Sequence, residues 1–191
     1  MKAIVCTEYG SPDVLQYQEV EKPTPKDDEV LVKIHAASVN MYDWHLLTAD
    51  IFMVRLMGGG LLRPKHPIPG ADIAGRIEAA GSHIKQFRPG DEVFGGISAC
   101  GDGGFAEYVS VRESSLALKP SNLTFDEAAA VPMAATTALQ GLRDQGHIQP
   151  GQKVLIQGAS GGVGTFAVQI AKSFGAEVTA VCSTRNLEQA R

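Results

Sequence analysis

Over the first two-thirds of the chain, apolar and polar residues alternate in short bursts broken by glycine and proline. Ala3-Ile4-Val5 opens a strand that Gly10-Ser11-Pro12 ends, and Val14 to Val20 is a second candidate. Pro23, Pro25 and Asp27-Asp28 mark a turn. From Glu29 to Val39 the residues Val30, Val32 and Ile34 fall on one face, and Glu29, Lys33 and His35 on the other. That is the period of a half-buried strand. Ile73 to Ala80 reads as a strand closed by Gly81-Ser82, and Arg88-Pro89-Gly90-Asp91 is a turn into Glu92-Val93-Phe94. Gly103-Gly104 leads into Phe105 to Val111, which alternates again. Many short strands at close spacing predict a barrel or sandwich.

The period changes near residue 121. Thr124-Phe125-Asp126-Glu127 matches a capping box, in which the threonine and the glutamate three residues on satisfy each other's amides. Ala128-Ala129-Ala130 follows, and Pro132 kinks or restarts the helix. The helix is predicted to continue from Ala134 to Gln145, with Gly146 as its C-cap. Lys153 to Gln157 is a short buried-strand pattern. Gly161 to Phe174 places Val163, Phe166, Ala167, Ile170, Ala171 and Phe174 on one helical stripe, ended by Gly175. Glu177 to Ser183 is a further strand, and a helix begins at Thr184. Residues 153 to 183 therefore form a β-α-β unit of the expected size.

Composition adds little to this picture except by exclusion. The chain has 191 residues, 44% hydrophobic and 20% charged, which is ordinary for a soluble globular protein and leaves room for one large domain or two unequal ones. Lys and Arg total 17 against 21 Asp and Glu, a net charge of −4 with no basic stripe, so a nucleic-acid partner is not expected. Cys6, Cys100 and Cys182 are odd in number and far apart, which speaks against a disulfide scaffold or a paired-cysteine metal knuckle and fits a reducing, cytoplasmic setting. No signal peptide or membrane span is read; the nearest apolar run, Ile51 to Leu62, is interrupted by Arg55 and three glycines.

The strongest chemical signal lies between the strand and helix of the β-α-β unit. Gly158-Ala159-Ser160-Gly161-Gly162-Val163-Gly164 aligns with a dinucleotide fingerprint as Ala159-x-Gly161-x-x-Gly164, with alanine at the first glycine position. Gly161 lets the backbone approach a pyrophosphate, Gly164 lets helix and strand pack closely, and the helix N-terminus supplies amides and partial positive charge. The alternative is a tight turn with no ligand. At the end of the second strand, NAD sites usually hold an acid for the ribose 2′-hydroxyl. This chain has Ser183-Thr184-Arg185, which can donate to a 2′-phosphate, and Arg185 can stack on adenine. NADPH is the cofactor expected; Arg185 as a merely solvated charge is the competing reading.

Five motifs then run in order: Ala37-Ser38-Val39-Asn40-x-x-Asp43-Trp44, Ile68-Pro69-Gly70-Ala71-Asp72-x-Ala74-Gly75, Phe87-Arg88-Pro89-Gly90-Asp91-Glu92-Val93-Phe94-Gly95, Gly104-Phe105-Ala106-Glu107-Tyr108, and the 158–164 loop. Together they resemble the medium-chain dehydrogenase/reductase superfamily, in its zinc-free quinone oxidoreductase-like branch, over essentially the whole chain. The resemblance implies a mixed α/β fold: a GroES-like β-barrel catalytic domain over 1–121, then a Rossmann NADPH-binding domain over 122–191 that is truncated after its first β-α-β segment. It implies NADPH in the cleft between them, with Thr137 near the nicotinamide, although Thr136 or Thr137 can equally bond its own helix backbone. Zinc-dependent relatives carry cysteine where Asn40 stands and a His-Glu pair where Ala71-Asp72 stands. No i, i+4 pairing among the five histidines replaces them, so no metal is expected.

Without a Lewis acid, the expected acceptors are already electrophilic: quinones or α,β-unsaturated carbonyls. Asn40 is the first candidate to stabilise the developing oxyanion; Tyr42 can donate a phenolic hydrogen bond, and Asp43 can orient Asn40 or the ribose. The competing reading makes Asp43 a helix cap. Met53, Leu56 and Met57 with Gly58-Gly59-Gly60 can form an apolar lid, a plain surface loop or a subunit contact. No tyrosine stands in this segment, where enoyl-thioester reductases of the superfamily carry one. The chain ends at Arg191, inside the second helix of the nucleotide domain, so it is read as a fragment of a longer enzyme, inactive or weak alone, homodimeric when complete. The alternative function is a catalytically silent NADPH-binding scaffold or redox sensor.

Overall fold

The computed structural model describes residues 1–56 and 60–190. Met57, Gly58 and Gly59 of the expected lid lie outside the described residues. The chain divides into two compact units, Met1–Pro132 and Met133–Arg191.

In the first unit, β1 (Lys2–Val5) pairs antiparallel with β2 (Gln16–Glu19). A second, antiparallel sheet holds β3 (Glu29–Ser38), β4 (Asp72–Ala80), β5 (Glu92–Gly96), β6 (Tyr108–Arg112) and β7 (Ala117–Leu118), in the order β6-β3-β4-β5-β7. Helix α1 (Met41–Thr48) and the single turn α2 (Phe52–Val54) fill part of the connection from β3 to β4. Val30, Val32, Ile73, Ile77, Val93, Ile97, Val109 and Val111 build the main core.

Two features differ from the pattern read in the sequence. Val30, Leu31 and Val32 are all buried, and β3 alternates only after Lys33, because bulges at Leu31/Val32 and Ile34/Ala36 bend the strand so that both faces are covered at its start. The closed barrel is not seen either. Among the described residues the edge strands β6 and β7 are not bonded to each other, and β7 offers β5 only the partners Ala117 and Leu118. β1 meets the approach to β6 at a single bridge, Ala3 to Ala106, flanked by the Ile4 N–H donating to the Phe105 carbonyl (2.8 Å) and the Glu107 N–H to the Lys2 carbonyl (3.1 Å). The sheets are open.

Helix α3 (Phe125–Ala129) starts as the capping box requires. The Thr124 N–H donates to Glu127 Oε2 at 2.8 Å, and the Glu127 N–H donates to Thr124 Oγ1 at 3.2 Å. Ala128 and Ala129 bury against Ala74 of β4, and Phe125 stacks on His35 of β3 with ring centroids 4.4 Å apart. This packing keeps α3 in the first unit. Pro132 does restart the helix, as α4 (Pro132–Leu139).

The second unit departs from expectation at once. Residues 140 to 145 form a π-helical turn in place of a continued α-helix, with the Gly146 N–H reaching the Gly141 carbonyl at 2.9 Å. The turn widens where Ile148, 7% exposed, docks into the core, and His147 (φ 47°), not Gly146, takes the left-handed conformation. The β-α-β unit follows its sequence pattern closely: β8 (Lys153–Gln157), α5 (Gly162–Ser173) and β9 (Glu177–Val181), the strands parallel from Lys153 opposite Glu177 to Gln157 opposite Val181. A short turn (Thr184–Asn186) leads into α6 (Leu187–Ala190). The α5 stripe buries Ala167 and Ala171 and half-buries Phe166, Ile170 and Phe174. Val163 is 42% exposed; in the first turn the buried position is Gly164. Leu155 and Val181 are exposed.

Candidate functional site

In the first unit, the candidate chemistry gathers where β3 ends and α1 begins. Asn40 is the N-cap of α1, in extended backbone, and its own N–H donates to Asp43 Oδ2 at 2.7 Å. Asp43 Oδ1 accepts the Ala71 N–H at 3.1 Å, so this carboxylate ties the helix start to the loop before β4. Asp43 is only 5% exposed. Burial pushes its carboxyl above the ordinary range, and the N–H groups of Asn40, Ala71 and Gly70 pull it back. Asp43 is not a cap standing before Trp44: the helix starts at Met41 with Asn40 as its N-cap, and Asp43, its third residue, holds Asn40 in place through the Asn40 N–H.

The Asn40 amide is directed inward. Its Nδ2 donates to Asp72 Oδ2 and to Ser38 Oγ, both at 3.1 Å, and Ser38 Oγ donates to the same Asp72 oxygen at 3.3 Å. Asp72 is fully buried. Asn40, Ser38 and Asp72 thus form a half-buried hydrogen-bonded cluster around the buried Asp72 carboxylate. Among the described residues, no group of three or more His, Cys, Asp and Glu side chains is arranged to hold a metal.

Tyr42 faces elsewhere. It lines a cavity of about 720 Å³ whose apolar wall includes Leu46, Leu47, Ile51, Met53 and Val54. Met53, from the expected lid segment, is thus on the wall. The polar part of the wall includes His66, Ser98 and Asp102. The Tyr42 hydroxyl and the Asp102 carboxyl line the same cavity and lie close enough to interact. Burial, then the charges of Asp102 and Asp43, push the phenol up to about 12. Burial and the charge of Asp43 push the Asp102 carboxyl up to about 7, against the lowering effect of the Tyr42 hydroxyl. Asp102 is absent from the residues singled out in the sequence. The only local signal was its glycine setting: Gly101, Asp102 and Gly103 have φ of 100°, 63° and 113° in succession.

In the second unit, the glycine loop has the geometry its sequence promises, with one change of role. The residue in the left-handed conformation is Gly158 (φ 75°), so the tight turn uses Gly158 rather than the Ala159 position. Ala159 is buried, and its N–H donates to the Val181 carbonyl at 3.0 Å. Gly161 is the N-cap of α5. A Cβ on Gly164 would sit 2.1 Å from the Gly158 carbonyl oxygen, so only glycine allows helix and loop to approach this closely. The first i→i−4 bond of the helix runs from the Thr165 N–H to the Gly161 carbonyl at 2.9 Å, which leaves the amides of Gly162, Val163 and Gly164 at the open end.

Ser183, Thr184 and Arg185 are all exposed at the end of β9. Asn186, which the sequence did not single out, brings this segment to the loop: its Nδ2 donates to Ser160 Oγ at 2.9 Å. The helix-end amides at the loop fit the pyrophosphate of a dinucleotide, and no acidic side chain stands among residues 183 to 185. Thr137 Oγ1 donates to the Met133 carbonyl at 2.7 Å, the local backbone bond that was one of its two readings.

Residues 26–121 match the model of the alcohol dehydrogenase GroES-like domain. The chain is 40% identical, over 98% of its length, to the chloroplastic quinone-oxidoreductase homolog of Spinacia oleracea, and covers 57% of that protein. It is 41% identical to the 2-methylene-furan-3-one reductase of Solanum lycopersicum, over 98% of this chain and 49% of the relative. The solved quinone oxidoreductase from Coxiella burnetii superposes with a TM-score of 0.89 at 33% identity, covering 100% of this chain and 59% of that one. The chain therefore spans about half the length of the relatives it matches. Among the described residues no helix is long and apolar enough to cross a membrane.

Proposed function

The chain belongs to the medium-chain dehydrogenase/reductase superfamily, in its quinone oxidoreductase-like branch, and from that premise we propose that it serves a zinc-independent, NADPH-dependent reduction of a quinone or an α,β-unsaturated carbonyl. The observation that carries this reading is the β8–loop–α5 cradle with no acid at the end of β9.

The backbone of Ala159, Ser160, Gly161, Gly162, Val163 and Gly164 holds the pyrophosphate at the positive end of α5. Ser183, Thr184 and Arg185 hold the 2′-phosphate by hydrogen bonds and charge. Asn186 keeps that segment against Ser160. Thr137 is assigned to the nicotinamide side by family resemblance. NADPH supplies the hydride when bound.

In the first unit the apolar cavity beside α1 takes the acceptor, and its size suits a ring-bearing or short-chain carbonyl compound. Tyr42 donates to the acceptor oxygen. Asn40 and Asp43 form the frame that fixes the start of α1 and so the direction of Tyr42. The zinc-independent part of the reading is supported by the Asn40 amide, which is a donor bound to Asp72 where a metal ligand must be an acceptor.

The test is NADPH oxidation by the whole protein, followed at the nicotinamide absorbance with a quinone and an enone series. Oxidation of NADPH with either acceptor, unaffected by a chelator, is the expected result. Tight NADPH binding with no turnover on any acceptor supports the silent scaffold instead, and loss of activity to a chelator overturns zinc independence.

A further inference from the structure

The cavity in the first unit holds a pair of titratable groups that the reading above uses only by half. Asp102 lies at φ 63° between two left-handed glycines, a backbone few non-glycine residues adopt. Such conformations are held in place by their surroundings and cluster at functional sites. One of its carboxyl oxygens, Oδ1, is buried and has no hydrogen-bond partner among the described residues. The Tyr42 hydroxyl lies on the wall of the same cavity, close enough to interact with this carboxyl.

We propose that Tyr42 and Asp102 form a proton-delivering pair: Tyr42 gives its hydroxyl proton to the oxygen of the reduced acceptor, and Asp102 resupplies Tyr42. This rests on the reductase reading of the cavity.

The chemistry follows from what each group can donate. An ionised Asp102 only accepts, so it claims the Tyr42 hydrogen for itself. A protonated Asp102 donates its own O–H to Tyr42 Oη and frees the Tyr42 hydrogen for a ligand. Hydride addition brings two electrons to the acceptor and leaves an oxyanion, a quinol monoanion or an enolate, while the nicotinamide is oxidised. The Tyr42 O–H bond breaks as the new O–H bond forms on the acceptor. The Asp102 proton passes to the phenolate oxygen, and the Asp102 carboxylate takes a proton from water before the next turnover. The net consumption is one acceptor, one NADPH and one proton.

The surroundings favour the protonated carboxyl. Burial is the main cause, and the like charge of Asp43 adds to it. Asp43 sits next to Tyr42 on α1 and raises both members of the pair. Lys65, His66, His45, Cys6 and Cys100 are the other titratable groups on the cavity wall. The carboxyl titrates at about 7, so at neutral pH it is poised to give and regain a proton.

Three variants of the whole protein test the pair: Asp102→Asn, Tyr42→Phe and Asp102→Glu, each checked for unchanged NADPH affinity as a sign of intact folding. The unsubstituted protein should lose kcat as pH rises through about 7. Asp102→Asn should lower kcat by roughly 10- to 100-fold at pH 6, abolish that pH limb and leave KM little changed. Tyr42→Phe should fall at least as far, and Asp102→Glu should restore part of the limb. A carbon-13 titration of the aspartate carboxyls, read without any acceptor, should place Asp102 near 7. A limb that survives in Asp102→Asn, or an Asp102 carboxyl that titrates at about 4, overturns the pair and leaves the reductase reading standing. An unsubstituted protein that reduces no quinone or enone overturns the reductase reading first, and the pair with it.

Discussion

The two units carry their chemistry in different materials. In Met133–Arg191 the candidate site is made of backbone: a left-handed glycine, helix-end amides and a close approach that excludes a side chain. In Met1–Pro132 it is made of side chains brought from distant points of the chain: Tyr42 meets Asp102, and Asn40 meets Asp72. A backbone site is specified by local spacing and tolerates almost no added atom. A side-chain site is specified by the fold and can be tuned one charge at a time.

The largest effect should follow from adding atoms to the backbone site. In Gly164→Val the new Cβ must displace the Gly158 carbonyl, 2.1 Å away, and the rest of the side chain makes this worse. We expect a loss of about 3 kcal/mol or more in stability and at least about a 100-fold loss of NADPH affinity. Thermal unfolding and nicotinamide fluorescence titration read the two effects. A variant that binds NADPH normally would show that the loop relaxes, and the backbone site would then be less strict than the side-chain one.

Next is the buried carboxylate that frames the side-chain site. Asp43→Ala removes the acceptor of the Asn40 and Ala71 N–H groups in a place water barely reaches. Orphaned amides of this kind cost about 1–3 kcal/mol each, so a loss of about 3 kcal/mol is expected by denaturant unfolding. Asp43→Asn sharpens the point: it keeps one acceptor but removes the charge that disfavours ionisation of Asp102. The pH limb of turnover should then move to lower pH.

How much of this is legible in the sequence follows the same division. The spacing of Gly158 to Gly164, the Thr124–Glu127 capping box, the restart at Pro132 and the parallel strands of the β-α-β unit are local patterns, and each appears where its residues predict it. Asn40, Tyr42 and Asp43 were singled out because they stand together in one motif. Asp102 and Asn186 were missed because nothing near them in sequence says what they touch; only the fold places one beside Tyr42 and the other beside Ser160. Barrel closure was misjudged for the same reason, since strand count and spacing do not reveal which edges meet.

Asp102 should also leave a mark on stability, with a definite sign. Its folded carboxyl keeps its proton up to about pH 7, whereas an unperturbed one releases it near 3.8. Between those values the unfolded chain binds fewer protons than the folded one, so stability falls as pH rises through the window and the penalty is complete above it. Asp102→Asn removes the penalty. It should match the unsubstituted protein below about pH 4 and exceed it by about 2 kcal/mol above neutrality, less than the whole shift because the residue is only partly buried. Equal pH–stability curves would mean that the carboxyl is solvated and ordinary.

The smallest effect expected is at Arg185, and it tests whether the second unit is a backbone site alone. The side chain is exposed, so its attraction for a 2′-phosphate is screened by water and salt. Arg185→Ala should weaken NADPH binding by roughly 10-fold, about 1.4 kcal/mol, and leave NADH binding within a factor of two. At about 1 M salt, where charges are screened beyond roughly 3 Å, most of that difference should vanish. If Arg185→Ala changes neither cofactor, the preference must come from Ser183 and Thr184 hydrogen bonds, which salt barely screens. If both cofactors weaken together, Arg185 acts on the shared adenosine, and the second unit selects its ligand by stacking rather than by charge.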